Sequence, residues 1–282
     1  MVSVSNLTKQ YGDYRLNISM EIPNGRIVGL VGKNGAGKST TIKAILGLIK
    51  ADSGSVTVFG KDVASLTGDD KRRIGVALSD SGFSSYLSAG DVAKILAKMY
   101  PGVNEKDFLN KCHRYGLTDP NKQIKNYSTG MKAKLRVLIA LSHNADLLIM
   151  DEPTAGLDIE ARNEILDILR GYLSENENRS ILITSHIATD LEGLCDEIYL
   201  IHNGEVLLHE ETDVILSDYA VIKVDEEGYE ALDKRYILKS HRESYGYRCL
   251  TNERGFYREN YPGLTMEKGG IDDLILLMTG EK

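Results

Sequence analysis

Ile27-Val28-Gly29-Leu30-Val31-Gly32-Lys33-Asn34-Gly35-Ala36-Gly37-Lys38-Ser39-Thr40 passes from an apolar strand into a helix through a glycine-rich turn. Gly32 to Ser39 carries the spacing G-x-x-x-x-G-K-[ST], which in this strand-to-helix context is a phosphate cradle. Glycines let the backbone bend with its N–H groups turned inward, so several amide dipoles and a helix N-terminus converge on one anion. Asn34, Gly35, Ala36, Gly37 and Thr40 supply the wall of that cradle. Lys38 would neutralise the β- and γ-phosphates of a nucleotide, and the Ser39 hydroxyl would ligate Mg²⁺.

A second motif narrows the chemistry. Leu147-Leu148-Ile149-Met150-Asp151-Glu152 is an apolar run that ends in two acids. A buried strand that stops on carboxylates presents them at the C-terminal edge of a sheet, where open α/β folds bind ligands. Asp151 would hold Mg²⁺ through its water shell, and Glu152 would polarise the water that attacks the γ-phosphate. Taken alone, the two acids would be a solvated strand end before the turn at Pro153.

Composition bounds the class without naming the activity. The 282 residues suffice for one large α/β domain or a medium domain with an appendage, and 42% hydrophobic with 27% charged residues is ordinary for a globular protein. The net charge of -7 argues against a nucleic-acid surface. No apolar stretch approaches the roughly 18 residues of a membrane span, and Met1-Val2-Ser3-Val4 shows no signal-peptide pattern. The three cysteines, Cys112, Cys195 and Cys249, are widely separated and lack metal spacing, so they read as small core residues in a reducing compartment.

Up to about residue 212, short β-branched runs alternate with helix-length amphipathic segments, the pattern of a parallel sheet with crossover helices. Val2 to Leu7, Asn17 to Ile22 and Ser55 to Phe59 read instead as antiparallel strands joined by turns such as Pro23-Asn24-Gly25. Helical patterns dominate between about residues 91 and 143, which predicts a helical insertion. After Asp213 the character shifts: seven of the fifteen tyrosines fall there and helical runs shorten, so residues 213–282 read as a small α+β appendage ending in a helix near Ile271 to Met278.

Between the two phosphate motifs lies Tyr127-Ser128-Thr129-Gly130-Met131, a hydroxyl-rich helix entry that on its own would be an N-cap. Downstream follow Asp151-Glu152-Pro153-Thr154-Ala155-Gly156-Leu157-Asp158 and a strand-like run, Ile181 to Thr184, ending at Ser185-His186. This ordered set, over residues 1–212, resembles the ATP-binding cassette (ABC) family. The resemblance implies an α/β fold: a P-loop NTPase cassette with a RecA-like core, an antiparallel β subdomain and a helical subdomain. It further implies two such cassettes, identical or not, sandwiching two ATP molecules head to tail. Ser128, Thr129 and Gly130 of one subunit would then meet the γ-phosphate held by the partner's P-loop. Asp158 would bridge the sites, and His186 would contact the γ-phosphate and hold Glu152 and water in register. Tyr11 matches the family's adenine-stacking aromatic, with Tyr14 nearby.

Two departures stand out. Tyr127, Thr129 and Met131 replace the usual residues of the Leu-Ser-Gly-Gly-Gln signature. After Arg73-Ile74-Gly75-Val76-Ala77-Leu78, where the family has a Mg²⁺-ligating glutamine, this chain has Ser79 and Asp80, and Asp80 is either a metal ligand or a loop acid. The resemblance also implies a separate transmembrane permease, with the ATPase held on the cytoplasmic face of the membrane. Phe83, Tyr86 and Leu87 are either its docking contacts or ordinary packing. The signature wording and the tail Gly270-Ile271-Asp272-Asp273-Leu274-Ile275 resemble bacterial exporters of peptides, antimicrobials or drugs, including the phenol-soluble modulin exporter type. An importer subunit, a soluble ABC ATPase and a nucleotide switch are the alternatives.

Overall fold

The computed structural model of the chain describes residues 1–79 and 83–280. It begins with a hairpin, β1 (Val2–Tyr11) and β2 (Tyr14–Ile22), then β3 (Ile27–Val31), α1 (Lys38–Ile45), β4 (Ser53–Val58), β5 (Lys61–Asp62), α2 (Gly68–Arg72) and β6 (Ile74–Ala77). Three helices follow, α3 (Ala89–Met99), α4 (Glu105–Arg114) and α5 (Thr129–Leu141). Alternation resumes with β7 (Leu147–Asp151), α6 (Ile159–Ser174), β8 (Ser180–Thr184), α7 (Ala188–Glu192), β9 (Glu197–His202) and β10 (Glu205–Glu211). The remainder is α8 (Thr212–Asp218), β11 (Ala220–Val224), α9 (Glu226–Ala231), β12 (Ile237–Glu243), β13 (Gly246–Thr251), α10 (Arg254–Asn260), β14 (Thr265–Lys268) and α11 (Ile271–Thr279).

The central sheet has the order β10-β9-β3-β8-β7-β6, parallel except for the antiparallel β9–β10 edge. Every residue of β3, β7 and β8 is buried, because both faces of a parallel sheet are covered and its strands therefore read as unbroken apolar runs. Period-two alternation divides these residues between two cores. Val28, Leu30, Ile149 and Leu182 face α1 and an antiparallel sheet of order β2-β1-β4-β5, whose Leu16, Ile18, Met20 and Ile22 alternate with exposed residues along β2. Ile27, Val31, Leu148, Met150, Ile181 and Ile183 face the opposite way, onto Leu135 and Leu138 of α5 and Ile165 and Leu169 of α6.

A third sheet, β12-β13-β11-β14, is wholly antiparallel. One face carries its own cluster of Ile222, Val224, Leu232, Cys249 and Tyr257. From the other face, Val221 and Leu250 meet Ile271, Leu274 and Leu277 of α11, and that layer is continuous with Leu191 of α7 and the main core. The cysteines are all buried, and burial pushes the Cys112 thiol up to about 12 and the Cys249 thiol up to about 11. Among the described residues no helix is long and apolar enough to cross a membrane.

The functional consequence of this topology is a single edge. β3, β6, β7 and β8 run parallel, so Gly32, Leu78, Glu152 and Ser185, the residues that follow their C-terminal ends, emerge together.

Candidate functional site

Gly32 leaves β3 at φ 149 and Gly37 enters α1 at φ 118, conformations that side-chain-bearing residues rarely adopt. Space forbids a side chain as well: a Cβ on Gly32 would lie 2.2 Å from the Ile201 carbonyl, and one on Gly37 would lie 2.4 Å from the Tyr14 hydroxyl. Tyr14 thus supports the loop from below, its hydroxyl donating to the Ala36 carbonyl at 3.0 Å. Lys38 is buried and donates to the carbonyls of Gly32 at 2.6 Å and Lys33 at 3.3 Å. Burial lowers its pKa from the ordinary lysine value, while Glu152 and Asp151 act in the opposite direction.

The carboxylates of the second motif meet this loop. Lys33, Asn34, Gly35, Gly37, Lys38, Ser39 and Thr40 line a cleft of about 600 Å³ together with Tyr14, Ser79, Asp151 and Glu152. Asp151 is buried and accepts two hydroxyl hydrogen bonds, from Thr184 at 2.8 Å and Ser79 at 3.0 Å. Thr184 pairs with Asp151 across β7 and β8, and its hydroxyl also accepts from the Glu152 amide at 2.9 Å. Glu152 adopts φ 51, a left-handed conformation that costs a non-glycine residue about 1–3 kcal/mol and is found where surrounding structure enforces it. Its carboxylate oxygen Oε2 lies 2.6 Å from Nδ1 of His186 and accepts the His186 amide at 3.3 Å.

Ser128 and Asp158 occupy a second cleft of about 570 Å³, whose lining includes Thr129, Gly130 and Lys134. Both are N-caps: Ser128 accepts from the Met131 amide of α5 at 3.2 Å, and Asp158 from the Ala161 amide of α6 at 2.8 Å. Two helix N-termini therefore open into this cleft, an arrangement suited to an anion. Lys134 pairs with Glu164 at its wall. Among the described residues, none lines both this cleft and the P-loop cleft.

With that geometry in view, residues 16–155 match the ABC transporter family. The lantibiotic transport ATP-binding protein SrtF of Streptococcus pyogenes is 37% identical over 216 residues, covering 76% of this chain and 92% of the relative. The chain belongs to the ABC transporter family. The linearmycin resistance ATP-binding protein LnrL of Bacillus subtilis (strain 168) is 37% identical over 213 residues, covering 73% of this chain and 68% of the relative. A solved structure of an ATP-binding subunit of an ABC transporter superposes with a TM-score of 0.67 at 26% identity, covering 76% of this chain and 91% of that one. The chain is accordingly an ATP-binding, ATP-hydrolysing subunit of that family.

Within the cassette, the residues read from the sequence fall into two groups. Asn34, Gly35, Gly37, Lys38, Ser39, Thr40, Asp151 and Glu152 share the P-loop cleft with Ser79, and His186 joins through Glu152; Ser128, Thr129, Gly130 and Asp158 stand apart in the second. Tyr11 ends β1, 48% exposed and paired across the hairpin with Tyr14, which lines the cleft where Tyr11 does not. Asp80 lies outside the described residues. Sequence reading missed Thr184 as the hydroxyl that holds both acids; its place at the end of an apolar strand, just before Ser185-His186, is the signal that could have found it.

Proposed function

We propose that this cassette drives export of peptides, antimicrobials or drugs through a separate membrane permease, working as one half of a head-to-tail ATPase pair. The observation that carries the paired site is the separation of Lys38 and Ser128 into different clefts of one chain. A phosphate held by Lys38 needs a partner subunit's Ser128, Thr129 and Gly130 to enclose it, with Asp158 at the junction. Glu152 holds the attacking water and takes its proton, and His186 orients Glu152 and meets the γ-phosphate. Tyr11 offers its exposed ring to the adenine.

The hydroxyl of Ser39 and the carboxylate of Asp151 would supply oxygen donors that fit Mg²⁺, with Ser79, hydrogen-bonded to Asp151, or the neighbouring Asp80 as the further oxygen from this loop. When bound, the ion neutralises charge on the β- and γ-phosphates.

Export is supported by the likeness to a lantibiotic transport protein and a linearmycin resistance protein. A permease contact is supported by a cleft of about 270 Å³ lined by Phe83, Ile124, Leu135, Ile139 and Arg136, which reaches Ser79 at the edge of the nucleotide site. Tyr86, 70% exposed, stands near it beneath Lys125. Such contacts would hold the cassette on the cytoplasmic face of the membrane. Residues 1–212 are read as the cassette, with about 91–143 as its helical part, and residues 213–282 as an accessory unit, a division supported by the separate antiparallel sheet and its cluster around Tyr257.

The test is reconstitution with the membrane subunit in vesicles whose cassettes face the bath. ATP-dependent accumulation of a labelled amphipathic peptide in the lumen is the expected result. Peptide loss from preloaded vesicles would indicate import, and hydrolysis without any nucleotide-dependent peptide movement would overturn transport of this class.

A further inference from the structure

The loop between Glu152 and Asp158 is tied to α7 at a second place, beneath the surface. Thr154 and Asp190 are both buried, and the Thr154 hydroxyl donates to Asp190 Oδ2 at 2.7 Å. The other carboxylate oxygen faces Arg162 Nε of α6 at 3.6 Å, and that Nε has no hydrogen-bond partner. Three segments thus meet at one carboxylate: the loop that starts at Glu152, the helix that opens at Asp158, and the helix that follows His186. Turns within the loop carry the restraint to Glu152, since the Ala155 amide donates to the Glu152 carbonyl at 3.3 Å and the Leu157 amide to the Thr154 carbonyl at 3.2 Å.

A carboxylate with so little solvent is costly unless its oxygens are partnered, so packing alone would favour an apolar residue at position 190. We propose that Asp190 is a positioning residue, which through Thr154 fixes the loop of Glu152 against α7 and so holds His186 within reach of Glu152. The direct contact between Glu152 and His186 is exposed on the histidine side, with 56% of that side chain accessible. It would be a poor restraint by itself, because a side-chain contact open to water contributes little. The buried Thr154–Asp190 bond fixes the same two segments a few residues away, where water does not compete. Arg162 balances the buried charge and links it to the helix capped by Asp158.

This inference rests on the reading of Glu152 and His186 as the hydrolytic pair. Thr154→Val removes the hydroxyl with little change of shape, Thr154→Ser restores it, and Asp190→Leu removes both acceptor oxygens at similar volume. Steady-state hydrolysis and the dissociation constant of a fluorescent ATP analogue are measured for each, with Glu152→Gln alongside. Misplacement by a fraction of an ångström predicts kcat lower by about 10-fold to about 100-fold in Thr154→Val. Affinity for the analogue stays within about 2-fold, because Lys38 and its loop are untouched, and Thr154→Ser regains most of the turnover. Wild-type kcat in Thr154→Val overturns the proposal, as does a loss of kcat and affinity together that Thr154→Ser does not rescue. Should Thr154→Val fail to fold, Asp190→Leu decides: lowered kcat with affinity kept supports the restraint, and unchanged kcat overturns it. Full turnover in Glu152→Gln would sink the hydrolytic reading instead, independently of Thr154.

Discussion

Nδ1 of His186 lies 2.6 Å from Oε2 of Glu152, joining the end of β8 to the end of β7 beside the P-loop cleft. The bond is possible because Glu152 turns left-handed at φ 51 and Thr184 anchors its amide. Asp151, still within β7, instead turns its carboxylate inward to Ser79 and Thr184. Two adjacent acids are thereby given different surroundings, one hydrogen-bonded and buried, the other partly open beside the histidine.

That difference predicts a split between binding and turnover. Glu152→Gln keeps the shape and an acceptor for His186 but loses the base, so hydrolysis should fall by about 10²–10⁴-fold while nucleotide affinity holds. His186→Ala should lower kcat with Glu152 still present. Phosphate release and equilibrium binding of a fluorescent nucleotide check both; parallel loss of affinity and turnover in Glu152→Gln would count against the assignment.

Much of this site is legible in the sequence, because its parts are local. Gly32 to Ser39 announces itself through glycines demanded by a bend, and Leu147 to Glu152 through an apolar run that stops on acids. Both are consequences of a parallel sheet whose strands are buried on two faces and end at one edge. What escaped were groups whose meaning depends on pairing across strands. Thr184 matters through its register with Asp151, and Tyr14 through the close approach of its hydroxyl to Gly37. The hairpin strands run beyond the expected Val2 to Leu7 and Asn17 to Ile22: β1 continues to Tyr11 and β2 begins at Tyr14, because cross-strand pairing extends them past the apolar residues that signal them. In the last seventy residues the tyrosine content marked a change of character, but only packing shows Val221 and Leu250 on one face of a sheet and Ile222 and Cys249 on the other.

His143 gives a pH dependence with a defined sign. Burial lowers its pKa from 6.5, opposed by its hydrogen bond to the Ile74 carbonyl, and its ring stacks on Tyr100 at 4.1 Å. With a folded pKa below the unfolded one, the unfolded chain binds more protons between the two values, so stability is full above the unfolded value and declines as pH falls through it. The melting temperature of the wild type should drop from pH 7.5 to about pH 5.5 more than that of His143→Gln. Equal slopes for the two proteins would remove His143 as a source of the dependence.

The contact of α11 with α7 predicts joint unfolding. The Ile271 amide donates to Glu192 Oε1 at 2.9 Å, and Leu274, 1% exposed, packs in the core that contains Leu191. Leu274→Ala should cost about 2–5 kcal/mol as a buried large-to-small change, and Glu192→Ala about 1–3 kcal/mol for the unpaired amide. Because the layer is continuous, calorimetry should show one transition that moves as a whole. Two separate transitions, with only one shifted by Leu274→Ala, would show that residues 213–282 unfold independently.

The division of the site between clefts makes a last prediction that no single chain can mimic. Lys38→Ala disables the P-loop cleft, and Ser128→Arg blocks the cleft at the start of α5, so each homogeneous preparation should lack turnover. In a mixed pair, the intact Lys38 of one subunit faces the intact Ser128 of the other, and one complete site is rebuilt while its twin carries both lesions. Random pairing with two sites per dimer gives about a quarter of wild-type hydrolysis in an equimolar mixture. The recovered rate should vary with the mixing ratio and peak at equal amounts, since only unlike pairs contribute. A mixture no more active than its components would mean that Lys38 and Ser128 do not complete one another across subunits. Hydrolysis retained by Ser128→Arg alone would mean that the P-loop cleft, with Glu152 and His186, works without a second chain.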